Sequence, residues 1–104
     1  MEDINFDAYI KDTKAKEKRK INAYKEILHG INQMISDALR DKSSVTCDVP
    51  PIMLEIDGYN PLEALIYIIE RLQRNKRFQQ ILVDIKIIEP CSLYLKWDIN
   101  KLKY

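Results

Sequence analysis

The stretch Asn60 to Arg77, NPLEALIYIIERLQRNKR, constrains this chain more than any other. Asn60 is a good helix N-cap, Pro61 suits the first helical position, and Glu63 stands where a capping-box carboxylate reaches back. Leu62, Leu65, Ile66, Ile69 and Leu72 recur at three- and four-residue steps, with Ile68 widening the stripe, so one face of the helix is apolar. Arg71, Arg74, Lys76 and Arg77 gather at the far end, where cations suit the negative pole of the helix dipole. Five or six aliphatics buried at about 1.5–3 kcal/mol each make this the expected core element. The rest of the chain must supply a surface for it to cover.

That surface has to come from one small domain, because the chain has 104 residues. A hydrophobic content of 46% argues against wholesale disorder. The 17 Lys and Arg nearly cancel the 16 Asp and Glu, so an electrostatic partner can be read only from local clusters. The longest apolar run, Ala64 to Ile69, is far short of the roughly 20 residues that span a membrane, and neither a span nor a signal peptide is expected. Cys47 and Cys91 are read as reduced, buried thiols.

The first ten residues, MEDINFDAYI, are acidic and then aromatic, and Phe6, Tyr9 and Ile10 form a small apolar patch. Held away from the core, such a patch is what helix-in-groove recognition uses. Residues 11–20, KDTKAKEKRK, hold Lys11, Lys14, Lys16, Lys18, Arg19 and Lys20 against Asp12 and Glu17. Helix propensity is good there, but nothing larger than Ala15 is available to bury, which predicts a solvated helical arm. From Ile21 the pattern changes: Ile21, Tyr24, Leu28, Ile31, Ile35 and Ala38 step by three and four, with Ile27, Met34 and Leu39 beside them. This stripe is expected to cover the sheet of its own domain, and Gly30 within it suggests a close crossing. His29 lies just off the stripe and reads as a surface residue.

After a break at Asp41–Ser44, Val45, Cys47 and Val49 alternate with Thr46 and Asp48 in a short strand that Pro50-Pro51 stops. The connection IMLEIDGY is too apolar for a free loop, so it should lie against the body. Phe78 to Ile88 reads as a strand with Ile81, Val83, Ile85 and Ile87 on one face and Leu82, Asp84, Lys86 and Ile88 on the other. A turn at Glu89–Ser92 leads to a third strand, in which Leu93, Leu95 and Trp97 alternate with Tyr94, Lys96 and Asp98. Leu82, Ile88 and Tyr94 suggest that the second sheet face is covered by the first helix or by a partner. The predicted class is α+β: a long N-terminal helix, then strand–helix–strand–strand, with a three-stranded sheet on the central helix. Residues 1–20 form an arm and residues 21–104 one domain. In one such topology the last strand lies between the other two.

Chemistry-bearing clusters are sparse. Cys47, Cys91 and His29 offer no pair at metal-ligand spacing, and nothing aligns either thiol with His29 for nucleophilic catalysis. Asp84 and Lys86, with Glu55, Asp57 or Glu70, resemble the acids and lysine of metal-dependent nucleases only weakly, because alternating charge on a strand is common. The two glycines, Gly30 and Gly58, make no phosphate loop. No catalytic residues, metal or cofactor are expected.

Several blocks together are familiar: FDAYI, then KEKRK and AYKEIL, then CDVPPI, GYNPLEALIYIIERL and LYLKW. The chain resembles a family of small proteins, of uncharacterised activity, encoded by nucleocytoplasmic large DNA viruses. That family has a basic N-terminal helix, a strand ending in Val-Pro, a Pro-x-x-x-Ala-x-x-Tyr-Ile-Ile helix and a closing strand ending in Trp. Val49 and Pro50, Pro61 through Ile69, and Leu93 to Trp97 occupy the matching positions. Arg77-Phe78 departs from the family's Gly-Phe after the helix. The resemblance implies a viral setting, in host cytoplasm or virus factory, and a place in the virion.

Two functions follow as expectations. The first is a non-enzymatic structural or assembly protein that binds other proteins through Phe6, Tyr9, Ile10, Lys14, Lys16, Lys18, Arg19 and Lys20. The alternative is nucleic-acid binding, with phosphates met by Lys18, Arg19 and Lys20 together with Arg71, Arg74, Lys76 and Arg77.

Overall fold

The structure, a computed structural model, describes residues 6–102. Its first element, α1 (Phe6–Ala38), is a single helix of 33 residues, about 50 Å long at the usual rise per residue. There follow β1 (Ser44–Asp48), α2 (Pro61–Arg74), α3 (Lys76–Ile81), β2 (Leu82–Ile88), β3 (Ser92–Trp97) and a 3₁₀ turn, Ile99–Leu102. The strands form one sheet in the order β1-β3-β2, with β3 antiparallel to both neighbours. β1 and β2 therefore run in the same direction and α2 crosses between them, which is the split strand–helix–strand arrangement of an α+β protein.

Alternation along β3 fixes the layering. Leu93, Leu95 and Trp97 are buried, and so are Cys47, which pairs with Leu93, and Val49 just past the end of β1. Ile31, Ile35 and Ala38 of α1 and Leu65, Ile68 and Leu72 of α2 join the same cluster, so both helices cover one face of the sheet. Trp97 ties the ends together: its indole N–H donates to the Lys42 carbonyl (2.9 Å), its ring lies 6.2 Å from that of Phe78, and its backbone N–H donates to the Ser43 carbonyl.

The expected covering of the second sheet face is not found among the described residues. That face carries exposed Thr46, Lys86 and Lys96 around a half-buried Tyr94, and α1 lies on the opposite side. The central helix also presents a different stripe from the one its aliphatics suggested. Ala64, Leu65, Ile68 and Leu72 are buried, while Leu62 and Ile66 are 43% and 45% exposed. The reason is that α2 must serve α1 as well as the sheet, which rotates its buried arc toward Ala64 and Tyr67.

The strand expected over Phe78–Ile88 begins only at Leu82. Asn75, extended at φ −77° and ψ 104°, ends α2 and caps α3, its side chain accepting from the Phe78 N–H. Phe78 and Ile81 then stand three apart, a helical spacing, and both are buried. β2 pairs Leu82 with Trp97 and Asp84 with Lys96, so Val83 is an extra residue in a bulge. The bulge returns Leu82 to the inner face with Ile85 and Ile87 and leaves Val83 exposed.

Three smaller expectations also change. In the connection after β1, Met53 and Ile56 are half-buried, but Ile52 is exposed and Leu54 is 91% exposed. Gly30 marks no crossing, since a Cβ there would meet nothing within 4 Å. Cys47 is buried and its thiol pKa is pushed up, mainly by that burial, whereas Cys91 is only half-buried; both are free thiols.

A candidate interaction site on the first helix

Two stretches of α1 have different surroundings. Every described side chain from Asp7 to Arg19 is exposed, whereas from Lys20 onward one face sinks into the body. The change is set by a polar clamp. Lys20, its side chain only 13% exposed, reaches Glu63 at 2.8 Å and Glu17 at 3.2 Å. Tyr24, buried one turn further on, donates its hydroxyl to Glu63 (3.1 Å) and accepts from the Asn60 N–H (3.4 Å). The rings of Tyr59 and Tyr67 flank the Tyr24 ring, each with its centroid 5.8 Å away. Arg71 stacks its guanidinium 5.1 Å from the centre of Tyr67.

Glu63 thus does something other than the expected capping box. Its carboxylate turns to α1, and the Tyr24 hydroxyl takes the Asn60 N–H instead, while the Asn60 side chain caps Leu62 and Glu63. The Lys20 bond holds the Glu63 carboxyl below the usual carboxylate range, and the Glu63 bond raises Lys20. Burial raises the Tyr24 phenol and pushes Tyr59 up to about 12. The Tyr59 hydroxyl donates to the Pro50 carbonyl, fixing the loop that carries Gly58. Gly58 takes φ +75°, a left-handed turn that side chains rarely adopt, and sits against the Lys20 stem.

Beyond the clamp the helix is tied to the body by little. Lys16 pairs with Asp12 (3.4 Å) and makes a longer contact to Asp57 (3.8 Å) across to the loop. Lys11, Lys14, Lys18 and Lys25 stand at helical spacings along one exposed stripe, with Asp7 at its outer end. None of these lysines makes an ion pair among the described residues. Ile10 is 46% exposed on the flank facing the direction of the core stripe. Phe6 and Tyr9 belong to the backbone of α1, but their side chains lie outside the described set.

The residues expected to meet a partner therefore divide. Ile10, Lys14 and Lys18 are all exposed, Ile10 on the flank toward the core stripe and the two lysines on the stripe beside it. Arg19 is exposed near Lys16, Glu55 and Asp57, in a small cleft under the arm. Lys20 is spent on the clamp. The basic groups of the nucleic-acid alternative are not brought together. α1 and α2 run side by side in the same direction, so Lys18–Lys20 stand near the start of α2 and Arg71–Arg77 at or beyond its end. Roughly 20 Å of helix separates them. Arg77 lines a separate cleft of about 290 Å³, with Ile35, Leu39, Leu72 and Phe78.

The weak acid–lysine set does not converge. Asp84 and Lys86 pair with each other at 3.3 Å on the open sheet face, away from Glu55 and Asp57. Among the described residues no group of three His, Cys, Asp or Glu is placed to hold a metal ion. His29 is exposed and bonded to Gln33 at 3.3 Å. No helix among the described residues is long and apolar enough to cross a membrane. No family model, no curated protein and no solved structure matches the chain.

Sequence reasoning missed the clamp. Tyr24 was legible only as a member of the apolar stripe, and its hydroxyl carries no periodic signal. The signal that could have found it is Lys20 and Tyr24 one turn apart on the core side of the helix, opposite a first-turn carboxylate.

Proposed function

We propose that this chain is a non-enzymatic assembly module that binds another protein through the outer part of α1. The observation that supports it is the run of α1 past its last firm anchor at Lys20, one continuous helix carrying exposed Ile10 and a lysine stripe that makes no ion pair among the described residues. A helix held this way loses little further conformational freedom on docking, so its apolar and cationic groups can act on a groove with an acidic rim. On the resemblance to proteins of large DNA viruses, the partner is another virion or assembly protein. The place of action is then the host cytoplasm or virus factory. The same lysine stripe supports a second reading, contact with nucleic-acid phosphates.

Removing residues 1–19 tests the first reading. The remaining chain is expected to unfold cooperatively as before and to lose the protein that the intact chain captures from its native source. Ile10→Asp in the full chain should give the same loss. Unfolding on truncation, or capture indifferent to both changes, would count against it. The second reading requires affinity for nucleic acid that falls steeply between roughly 50 and 200 mM salt, with a shallower slope in Lys14→Gln/Lys18→Gln.

A further inference from the structure

β2 is an edge strand whose exposed surroundings are apolar, and its charges select one way of pairing it. Among the described residues β2 bonds only to β3, which leaves its other edge without a strand partner there. On the inner face beside that edge, Ile87 is exposed and Ile85 half-buried. The flank of α2 turned away from α1 carries exposed Leu62 and Ile66. Because α2 runs against β2, its first turns lie toward the end of the strand that carries Ile87. The other edge strand, β1, differs: α1 packs along it, and Cys47 within it and Val49 just past its end are buried.

We propose that the β2 edge pairs antiparallel with the β2 edge of a second copy of this chain, about a two-fold axis normal to the sheet at Ile85. This register sets Ile85 against its own symmetry mate. It sets Asp84 of each copy opposite Lys86 of the other, on the outer face. Registers shifted by two place Asp84 opposite Asp84, or Lys86 opposite Lys86, and a shift by one sends the isoleucines to the wrong face. Lys86 alone would be an edge-blocking charge. With Asp84 two positions away and already paired to it, the edge becomes self-complementary in a single register. The same rotation leaves both α2 helices on one side of a continuous six-stranded sheet. The Leu62 and Ile66 flanks then close over Ile85 and Ile87 from both copies. Bulged Val83 ends the pairing at its outer limit.

Multi-angle light scattering tests this without dependence on the elongated shape. The full chain is expected to reach twice its 12.3 kDa mass with rising concentration. Lys86→Asp and Asp84→Lys should each hold it at the monomer mass. Mixing the two variants should restore the doubled mass as a heterodimer, because one then carries two acids where the other carries two lysines. Circular dichroism of each variant confirms that it is folded, and the mixture guards against loss of mass through damage to the strand. A monomer at several hundred micromolar would overturn the proposal. So would a dimer that both single variants retain, or one that neither retains and mixing fails to restore. A dimer lost on removing residues 1–19 but kept in Lys86→Asp would place self-association on the arm instead.

Discussion

The two halves of α1 are one helix made in two ways. From Lys20 to Ala38 the helix is held by burial: Tyr24, Ile31, Ile35 and Ala38 contribute to the core, and its polar members Lys20 and Tyr24 are bonded to α2. From Phe6 to Arg19 the helix is good in propensity and supported by local pairs such as Lys16 with Asp12, but no described side chain is buried. The contrast teaches that an anchored helix extends its register past the anchor. The body nucleates the turns, so residues that could not hold a helix alone in water are presented on a fixed face.

The sharpest way to break the comparison is to truncate equivalent isoleucines. Ile31→Ala is expected to cost about 2–5 kcal/mol, because Ile31 is 2% exposed and its loss leaves a cavity. Ile10→Ala should stay within about 0.5 kcal/mol of the parent, as exposed positions do. Paired denaturant titrations measure both. Equal costs would mean that the outer half is packed in solution.

The junction is next. Tyr24→Phe keeps the ring contacts but removes the bonds with Glu63 and Asn60, and should cost about 0.5–1.5 kcal/mol in the same titration. Amide hydrogen exchange should then quicken in residues 7–20 more than in α2. Gly30→Ala works in the opposite direction. With open space around the added methyl group, it should stabilise by about 0.8–1 kcal/mol, raising the melting temperature of the whole chain.

The smallest effect is on pH. Glu63 binds its proton less readily in the folded chain than in the unfolded one, chiefly because Lys20 bonds its carboxylate. Its contribution is therefore present above the ordinary glutamate value of about 4.3 and is lost as pH falls through the lower folded value. Glu63→Gln should flatten that acid limb in thermal melts. At the alkaline end, burial lifts Tyr59 to about 12, so stability should decline as pH rises from about 10 toward 12, and less in Tyr59→Phe.

Much of this arrangement was legible in the residues. The N-cap at Asn60 with Pro61 placed the start of α2, alternation placed β1 and β3, and the stripe from Ile21 marked where the first helix turns inward. What misled was local evidence with two meanings. Ile81 fits a strand face when counted with Val83 and Ile85, and a helix face together with Phe78 when Asn75 is taken as a cap. Leu62 and Ile66 look like core because a helix pattern shows which residues could be buried, not how wide an arc the neighbours cover.

The amino-acid order alone determined the class, the order of the main elements and the near absence of anything to bury before Ile21, since these follow from short-range periodicity, capping and composition. The tertiary structure alone decided three things. Glu63 would clamp α1 rather than close its own helix, a bulge at Val83 would reset the face of β2, and the two basic groups would stand apart. Each depends on which distant side chain arrives within a few ångströms, and contacts at that range leave no mark in the spacing of residues along the chain.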